Sequence, residues 1–423
     1  MPGHKGKALL GIEPYDITEI KGADELYSPS GIIAESEENA TELFATAHTY
    51  YSTEGSTLAI KAMLAIATKG AAGGERATVL AARNAHKAFL YSAALLDFNI
   101  EWIYPDAPSH ACECKITPAA LKEKLGAMSK LPTAVYVTSP DYLGNIADIK
   151  GLSEVCDGYG IPLLVDNAHG AYLAFLTPSL HPIALGASMC ADSAHKTLPV
   201  LTGGAYLHIA KKAEHLTSHA RSSLSLFAST SPSYLILQSL DLANAYIKDG
   251  YEEKLAAACA AADATKRALS EIGFAPEETE PTKIVIRASK YGYTGDALAE
   301  HIRHSGIECE FSDRDYLVLM LTPENAGECE KLIHSIGKLA PKTEIPTVMP
   351  PITSAERKMS VREAIFALSE IVKTTDALGR ILASPTVSCP PAVPIAISGE
   401  LIDESVQKAL SAYGIDEIEV VAQ

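Results

Sequence analysis

The feature that most restricts the fold is a series of short apolar runs set between helical patterns. Ile161 to Val165 (IPLLV) carries no polar residue at any position. A strand with one wet face alternates, whereas a strand covered on both faces, as in a helix-flanked parallel sheet, reads as a continuous apolar run. Ala77–Ala82, Glu101–Tyr104, Ala134–Thr138 (AVYVT) and Gly203–Ile209 are further strand candidates. Between and around them the pattern predicts helices over Thr41–Tyr50, Ser56–Thr68, His86–Phe98, Pro118–Met128 and Ile149–Tyr159. Strand and helix in alternation give an α/β domain with a mostly parallel sheet.

The pattern changes near residue 250. Tyr251–Ile272 is a long Ala-rich helix, and strands Lys283–Ala288 and Tyr316–Leu321 flank a helix at Asp296–His304. This predicts a smaller α+β domain. Four prolines between 341 and 351 read as a linker, followed by a helix at Val361–Thr374 and a proline-rich turn at 385–394. Gly70–Gly74 reads as a turn before a strand.

Composition removes several functional classes. The 423 residues carry 35 Lys and Arg against 52 Asp and Glu, a formal charge of -17. Nucleic acid and anionic membrane surfaces call for the opposite sign, and cationic small molecules suit this one. No apolar run is long enough to span a bilayer, and MPGHKGKALLG lacks a signal core. The eight cysteines show no zinc spacing and read as reduced thiols of a cytoplasmic protein, with no metal site expected.

Four segments carry chemistry-bearing residues. Lys196, in Ser193-Ala194-His195-Lys196-Thr197, is either an exposed loop lysine or a nucleophilic one. Asp166 directly follows IPLLV, where ligands of open α/β sheets sit. It is either a helix cap or the buried partner of a cation. Ser52-Thr53-Glu54-Gly55-Ser56-Thr57 leads into a helix and is either a plain N-cap or a phosphate cradle. His86, in Arg83-Asn84-Ala85-His86-Lys87, either stacks on a planar ring or makes local hydrogen bonds. Taken together in the order cradle, stacking group, aspartate and lysine, each near a strand end, the four describe a pyridoxal 5'-phosphate site.

Here the sequence resembles the bacterial ornithine/lysine/arginine decarboxylase family, PLP enzymes of fold type I. MPGHKGK (1–7), DITEIKGADELYSPSG (16–31), STEGST (52–57), RNAHKA (83–88), TSPDYLGNIADIK (138–150), VDNAHGAY (165–172), DSAHKTLPVLTGGAYLH (192–208), STSPSYLILQSLDLA (229–243) and ALGRILASPTVSCPPAVPIAISGELI (377–402) each resemble a family motif in order. The departures are Glu54 for asparagine, Asp141 for threonine, Asn167 for glutamate, Tyr172 for histidine, Gly203 for glutamine, and CPPAVP for YPPGIP.

The resemblance implies an N-terminal arm (1–28), a PLP-binding large domain (29–250), a small α+β domain (251–345) and a C-terminal decarboxylase-type segment (346–423). This is the short form, without the wing domain of the acid-inducible members. Lys196 would anchor the cofactor, Asp166 would pair with its ring nitrogen, and His86 would stack on the ring. Ser56, Thr57, Ser193 and His195 would bind the phosphate. Ala168 would pack beside the ring, and His169 would lie near the reacting carbon or the ring's 3-hydroxyl. Thr230 and Ser231 would reach the neighbouring subunit's cofactor, which implies a homodimer with shared sites or a larger assembly. Glu310 and Asp313 would meet the substrate's distal cation. The implied reaction is decarboxylation of arginine, lysine or ornithine, in polyamine metabolism or acid resistance. Another PLP reaction of aminotransferase or aldolase type, or a PLP-binding subunit with little catalysis, is the alternative.

Overall fold

In the computed structural model, which describes residues 2–70, 75–105, 110–346, 352, 354–385 and 392–423, seven strands form one sheet. They are β1 (His48–Ser52), β2 (Thr78–Ala82), β3 (Asn99–Ile103), β4 (Ala134–Thr138), β5 (Leu163–Asp166), β6 (Met189–Asp192) and β7 (Ala205–Ile209). Their spatial order is β1-β7-β6-β5-β4-β2-β3. From β3 to β6 every neighbouring pair is parallel. β7 pairs antiparallel with both β6 and β1. Strand β7 alone therefore opposes the others, and the carboxyl ends of β1 to β6 fall on one edge.

The helices of this region are α1 (Ile32–Leu43), α2 (Gly55–Thr68), α3 (Lys87–Leu96), α4 (Pro118–Ala127), α5 (Ile149–Tyr159), the single turn α6 (Ala194–Thr197), α7 (Thr217–Phe227) and α8 (Tyr234–Lys248). They cover both faces of the sheet, which is why its central strands read as unbroken apolar runs. Leu80, Val135, Val137, Leu163 and Val165 pack on one face with Leu121 of α4 and Leu152 of α5. Val79, Ala81, Ala134, Tyr136 and Leu164 pack on the other with α2 and α3. Alternate residues of one strand thus feed two separate cores. Phe89 of α3 is fully buried and stacks at 4.6 Å on the ring of Tyr136. Phe89→Ala is expected to cost about 3–5 kcal/mol, the usual range for emptying such a site, as read from urea unfolding.

Beyond residue 250, α9 (Tyr251–Glu271), α10 (Gly295–Arg303) and α11 (Cys329–Ile336) accompany an antiparallel sheet. Its strands are β8 (Lys283–Arg287), β9 (Phe311–Ser312) and β10 (Tyr316–Met320), in the order β8-β10-β9. These elements share one apolar cluster that includes Phe274, Ile284, Leu298 and Leu317. The last segment holds α12 (Val361–Phe366), α13 (Glu404–Ala412) and a two-stranded ribbon of β11 (Ser369–Lys373) and β12 (Glu417–Val421). It is fastened to the main sheet where Arg83 donates to the carbonyls of Pro394 and Ile395.

Two expectations are corrected. The helix predicted over Thr41–Tyr50 is the end of α1 followed by β1. The break falls at Ala45, which adopts a positive φ of 53°, and His-Thr-Tyr-Tyr-Ser is β-branched and aromatic, suited to pairing with β7. The helix predicted over Val361–Thr374 stops at Phe366, because Ile371 and Val372 extend to pair with β12. The seven cysteines among the described residues are all free, and Cys389 lies outside them. The glycine run at 70–74 and the proline-rich stretches at 341–351 and 385–394 also lie partly outside the described residues. No helix among the described residues is long and apolar enough to cross a membrane.

Candidate active site

The shared edge of β1 to β6 explains why residues far apart in sequence meet. A cavity of about 220 Å³ opens there, and five strand ends contribute to it. The segment after β1 supplies Gly55, Ser56 and Thr57. The segment after β2 supplies Asn84 and His86. Thr138, Pro140 and Tyr142 come from the end of β4, Asp166, Ala168 and His169 from the end of β5, and Ser193, His195 and Lys196 from the end of β6.

Helix α2 starts at this cavity with no side-chain cap. Its first-turn N–H groups lack intrahelical acceptors, and they sum with the helix dipole into an anion site. The Ser193 hydroxyl donates to the Ser56 hydroxyl at 2.7 Å, so the two share one spot. Gly203 braces this corner. Its carbonyl accepts from the Gly55 N–H at 2.7 Å, its φ is 100°, and a Cβ there would lie 2.9 Å from the Thr53 carbonyl oxygen. Glycine at 203 is thus required by close approach of the phosphate-side loop.

Asp166 is 2% exposed, and burial pushes its carboxyl up to about 6 even though Tyr136 and Lys196 work the other way. The Tyr136 hydroxyl donates to it at 3.1 Å and the Ala168 N–H at 3.3 Å. Such a carboxylate is stabilised by a cation placed against it. His86 caps α3, its Nδ1 accepting from the Ala88 N–H at 3.1 Å. Burial, then Lys196 and Lys87, bring it down to about 4, so it is a neutral ring at ordinary pH.

Lys196 Nζ lies 2.9 Å from His169 Nε2. The other ring nitrogen, Nδ1, lies 3.4 Å from Lys283 Nζ on β8. Burial first, then Lys283 and Lys196, hold His169 well below the ordinary imidazole value. Tyr142 meets His169 edge-on at 4.8 Å and donates from its hydroxyl to Glu310 at 3.0 Å.

The residues present fit a pyridoxal phosphate group. An uncapped helix start with Ser56, Ser193 and His195 suits a phosphate, a buried aspartate suits a ring cation, and a neutral histidine suits a ring face. The Asn84 side-chain oxygen and the Thr138 hydroxyl line the cavity buried and without hydrogen-bond partners among the described residues, as groups awaiting a polar ligand would be.

Other expected residues lie elsewhere. Thr230 and Ser231 are exposed and do not line the cavity. Asp313 lines a neighbouring cavity. There it accepts from His110 at 2.7 Å and from the N–H groups of Asp315 and Tyr316. Asn167 points under the sheet, its amide donating to Asp192 at 2.8 Å. Asp192 also takes His181, His208 and the Cys190 thiol, so these buried polar groups satisfy one another. Glu54 holds the Ser229 N–H beside Thr230. Asp141 organises its own loop, accepting from Leu143 and Asn145. Sequence reasoning missed Tyr136, Tyr142 and Lys283. Tyr142 stood within a recognised motif, whereas Lys283 and Tyr136 read as strand residues.

A family model described as "Orn/Lys/Arg decarboxylase, major domain" matches residues 6–273. The chain is 31% identical to the uncharacterized protein YaaO of Bacillus subtilis, over 93% of this chain and 84% of that one. It is 29% identical to the arginine decarboxylase of B. subtilis, over 96% of this chain and 88% of that one. The constitutive lysine decarboxylase of E. coli superposes with a TM-score of 0.76 at 17% identity, covering 100% of this chain and 79% of that one.

Proposed function

The chain belongs to the Orn/Lys/Arg decarboxylase family of PLP-dependent amino-acid decarboxylases, and on that premise we propose that it removes the α-carboxylate of arginine, with lysine and ornithine as weaker substrates. The observation that carries this reading is one cavity holding Lys196 against His169, a buried Asp166, and a carboxylate, Glu310, one tyrosine away. Pyridoxal phosphate, when bound, supplies an electron sink for the pair left as CO2 departs.

The chain's own residues divide the remaining work. Ser56, Thr57, Ser193 and His195 bind the phosphate and fix the register of the ring. Asp166 would hold the ring nitrogen with its negative charge, and His86 would hold the ring. Ala168, small and on the cavity wall, would leave room beside the ring. Lys196 would hold the aldehyde end of the cofactor. His169, or Lys196 once released, returns a proton to the α-carbon. Thr230 and Ser231, exposed beside the Glu54–Ser229 contact, complete the site of a second copy in a homodimer.

Glu310 is the group for the distal cation, because among the described residues Tyr142 engages only one of its oxygens. A guanidinium fork uses a carboxylate in two parallel bonds, which favours arginine over the ammonium substrates. Asp313, already engaged by His110 and two backbone groups, braces the turn between β9 and β10 instead. Glu310→Gln is expected to raise KM for arginine about 10- to 100-fold, as loss of a charge-assisted bond implies. Its kcat would change far less. Steady-state kinetics with all three amino acids test this, and an unchanged KM would remove Glu310 from the substrate site.

A further inference from the structure

Lys283 is a second lysine at this site, and the reaction as described does not use it. It is 0% exposed, on the first residue of β8. Its Nζ lies 2.8 Å from Glu280 Oε1, an ion pair by distance whose alignment falls short of a hydrogen bond. Glu280 Oε2 accepts from the Tyr172 hydroxyl at 2.9 Å. Lys283 Nζ also reaches the Asp141 carbonyl oxygen and His169 Nδ1, each at 3.4 Å. Two of the residues that depart from the family pattern, Asp141 and Tyr172, thus surround this one buried ammonium.

An ammonium group only donates. With Lys283 donating to Nδ1, a neutral His169 must carry its hydrogen on Nε2. That N–H points at Lys196 Nζ, 2.9 Å away. An N–H can face an amine nitrogen only if that nitrogen offers a lone pair, so Lys196 must be the unprotonated member. The positive charge of Lys283 acts in the same direction, since a nearby like charge disfavours a second ammonium.

We propose that Lys283, acting through His169, holds the Lys196 amine unprotonated and thereby readies it to bond the cofactor's aldehyde. Lys283 is a positioning residue in this device. The inference rests on the PLP reading above. The step it prepares is balanced without an outside oxidant or reductant. The Nζ lone pair forms a C=N bond to the aldehyde carbon, the C=O bond breaks, and the oxygen leaves as water with both amine hydrogens.

Lys196 is faced by His169, His86 and His195 and by Asp166, whose carboxylate favours the ammonium form and is what Lys283 must outweigh. Glu310 acts on His195 from the β9 side, and Glu280 and Asp141 flank Lys283. Burial, the largest cause in both and independent of any charge on Lys196, holds His86 and His169 below the ordinary imidazole value, so neither carries the positive charge at neutral pH.

The test follows capture of pyridoxal phosphate by the cofactor-free full-length chain. The rate at which the band at about 420 nm appears is measured from pH 6 to 9. The native chain is compared with Lys283→Met combined with Glu280→Gln, so that no buried carboxylate is stranded. At pH 7 the variant is expected to be about tenfold slower, with its profile displaced upward by about one pH unit, a unit being tenfold in the neutral fraction. The two rates should converge near pH 9. An unchanged profile, or an equal slowing at every pH, overturns the proposal. A native chain that forms no band at any pH overturns the PLP reading itself. Should the variant not fold, ¹⁵N-histidine NMR of the native cofactor-free chain decides. Hydrogen on Nε2 of His169 supports the proposal, and hydrogen on Nδ1 or on both nitrogens overturns it.

Discussion

Asp166→Asn is expected to stabilise the cofactor-free protein at pH 7 while cutting turnover by at least about 10²–10³-fold, the usual scale for losing a placed charge. The stabilising half follows from burial. The Asp166 carboxyl stands at about 6 in the fold against an ordinary 3.8. Between those values the folded chain binds more protons than the unfolded chain, so stability falls as pH rises through the window. The penalty is absent below the unfolded value and complete above about 6. At about 1.36 kcal/mol per pH unit it comes to about 3 kcal/mol, an order of magnitude. Asparagine keeps an acceptor for the Tyr136 hydroxyl and carries no charge at any pH. Its advantage should therefore be present at pH 7 and gone near pH 4, as denaturant melts of the two cofactor-free proteins would read. The loss of turnover follows because a neutral amide cannot hold the ring nitrogen cationic. Equal stability of the two proteins at pH 7, or near-normal turnover of the variant, would contradict the role given to Asp166.

Lys196→Ala is expected to abolish the band at about 420 nm and to lower turnover at least about 10³-fold. The phosphate cradle at Ser56, Ser193 and the start of α2 is untouched by this change, so the cofactor should still be retained noncovalently. Absorption of the loaded variant, with bound phosphate assayed separately, separates anchoring from binding. A preserved band would transfer the anchoring role to Lys283, the other lysine that touches His169. The two substitutions therefore test different halves of the site, one the ring nitrogen and one the aldehyde end.

What was legible in the sequence was whatever sits at a strand end of the parallel sheet. IPLLV announced a doubly covered strand, and once the sheet is parallel its carboxyl ends must share an edge. Asp166 and His86 were found on that logic, since each follows a recognised apolar run, whereas Ser56 was found in a small-residue segment leading into a helix and Lys196 among small polar residues ahead of a strand. Lys283 was not. KIVIR reads as an ordinary strand, and nothing in its spacing says that its first residue is buried against a histidine 114 positions earlier. Asp313 was expected near the distal cation only from the resemblance; it lies in the turn between β9 and β10, where His110 and two backbone groups engage it. Gly203 and Asn167 looked like losses from the family pattern. One is demanded by a close backbone approach, and the other points away from the cavity to Asp192. The strand β11 was missed because its partner β12 lies some forty residues on, and pairing at that range outweighs local helical pattern.

The most direct test of the account is release of CO2 from arginine, lysine and ornithine by the purified, PLP-loaded chain, with the amine product identified. The account predicts CO2 in equal amount to the amine, fastest from arginine, in a protein that shows the band at about 420 nm before substrate is added. A loaded protein that shows the band yet yields a 2-oxo acid or an aldehyde, or no product from any of the three, would contradict it.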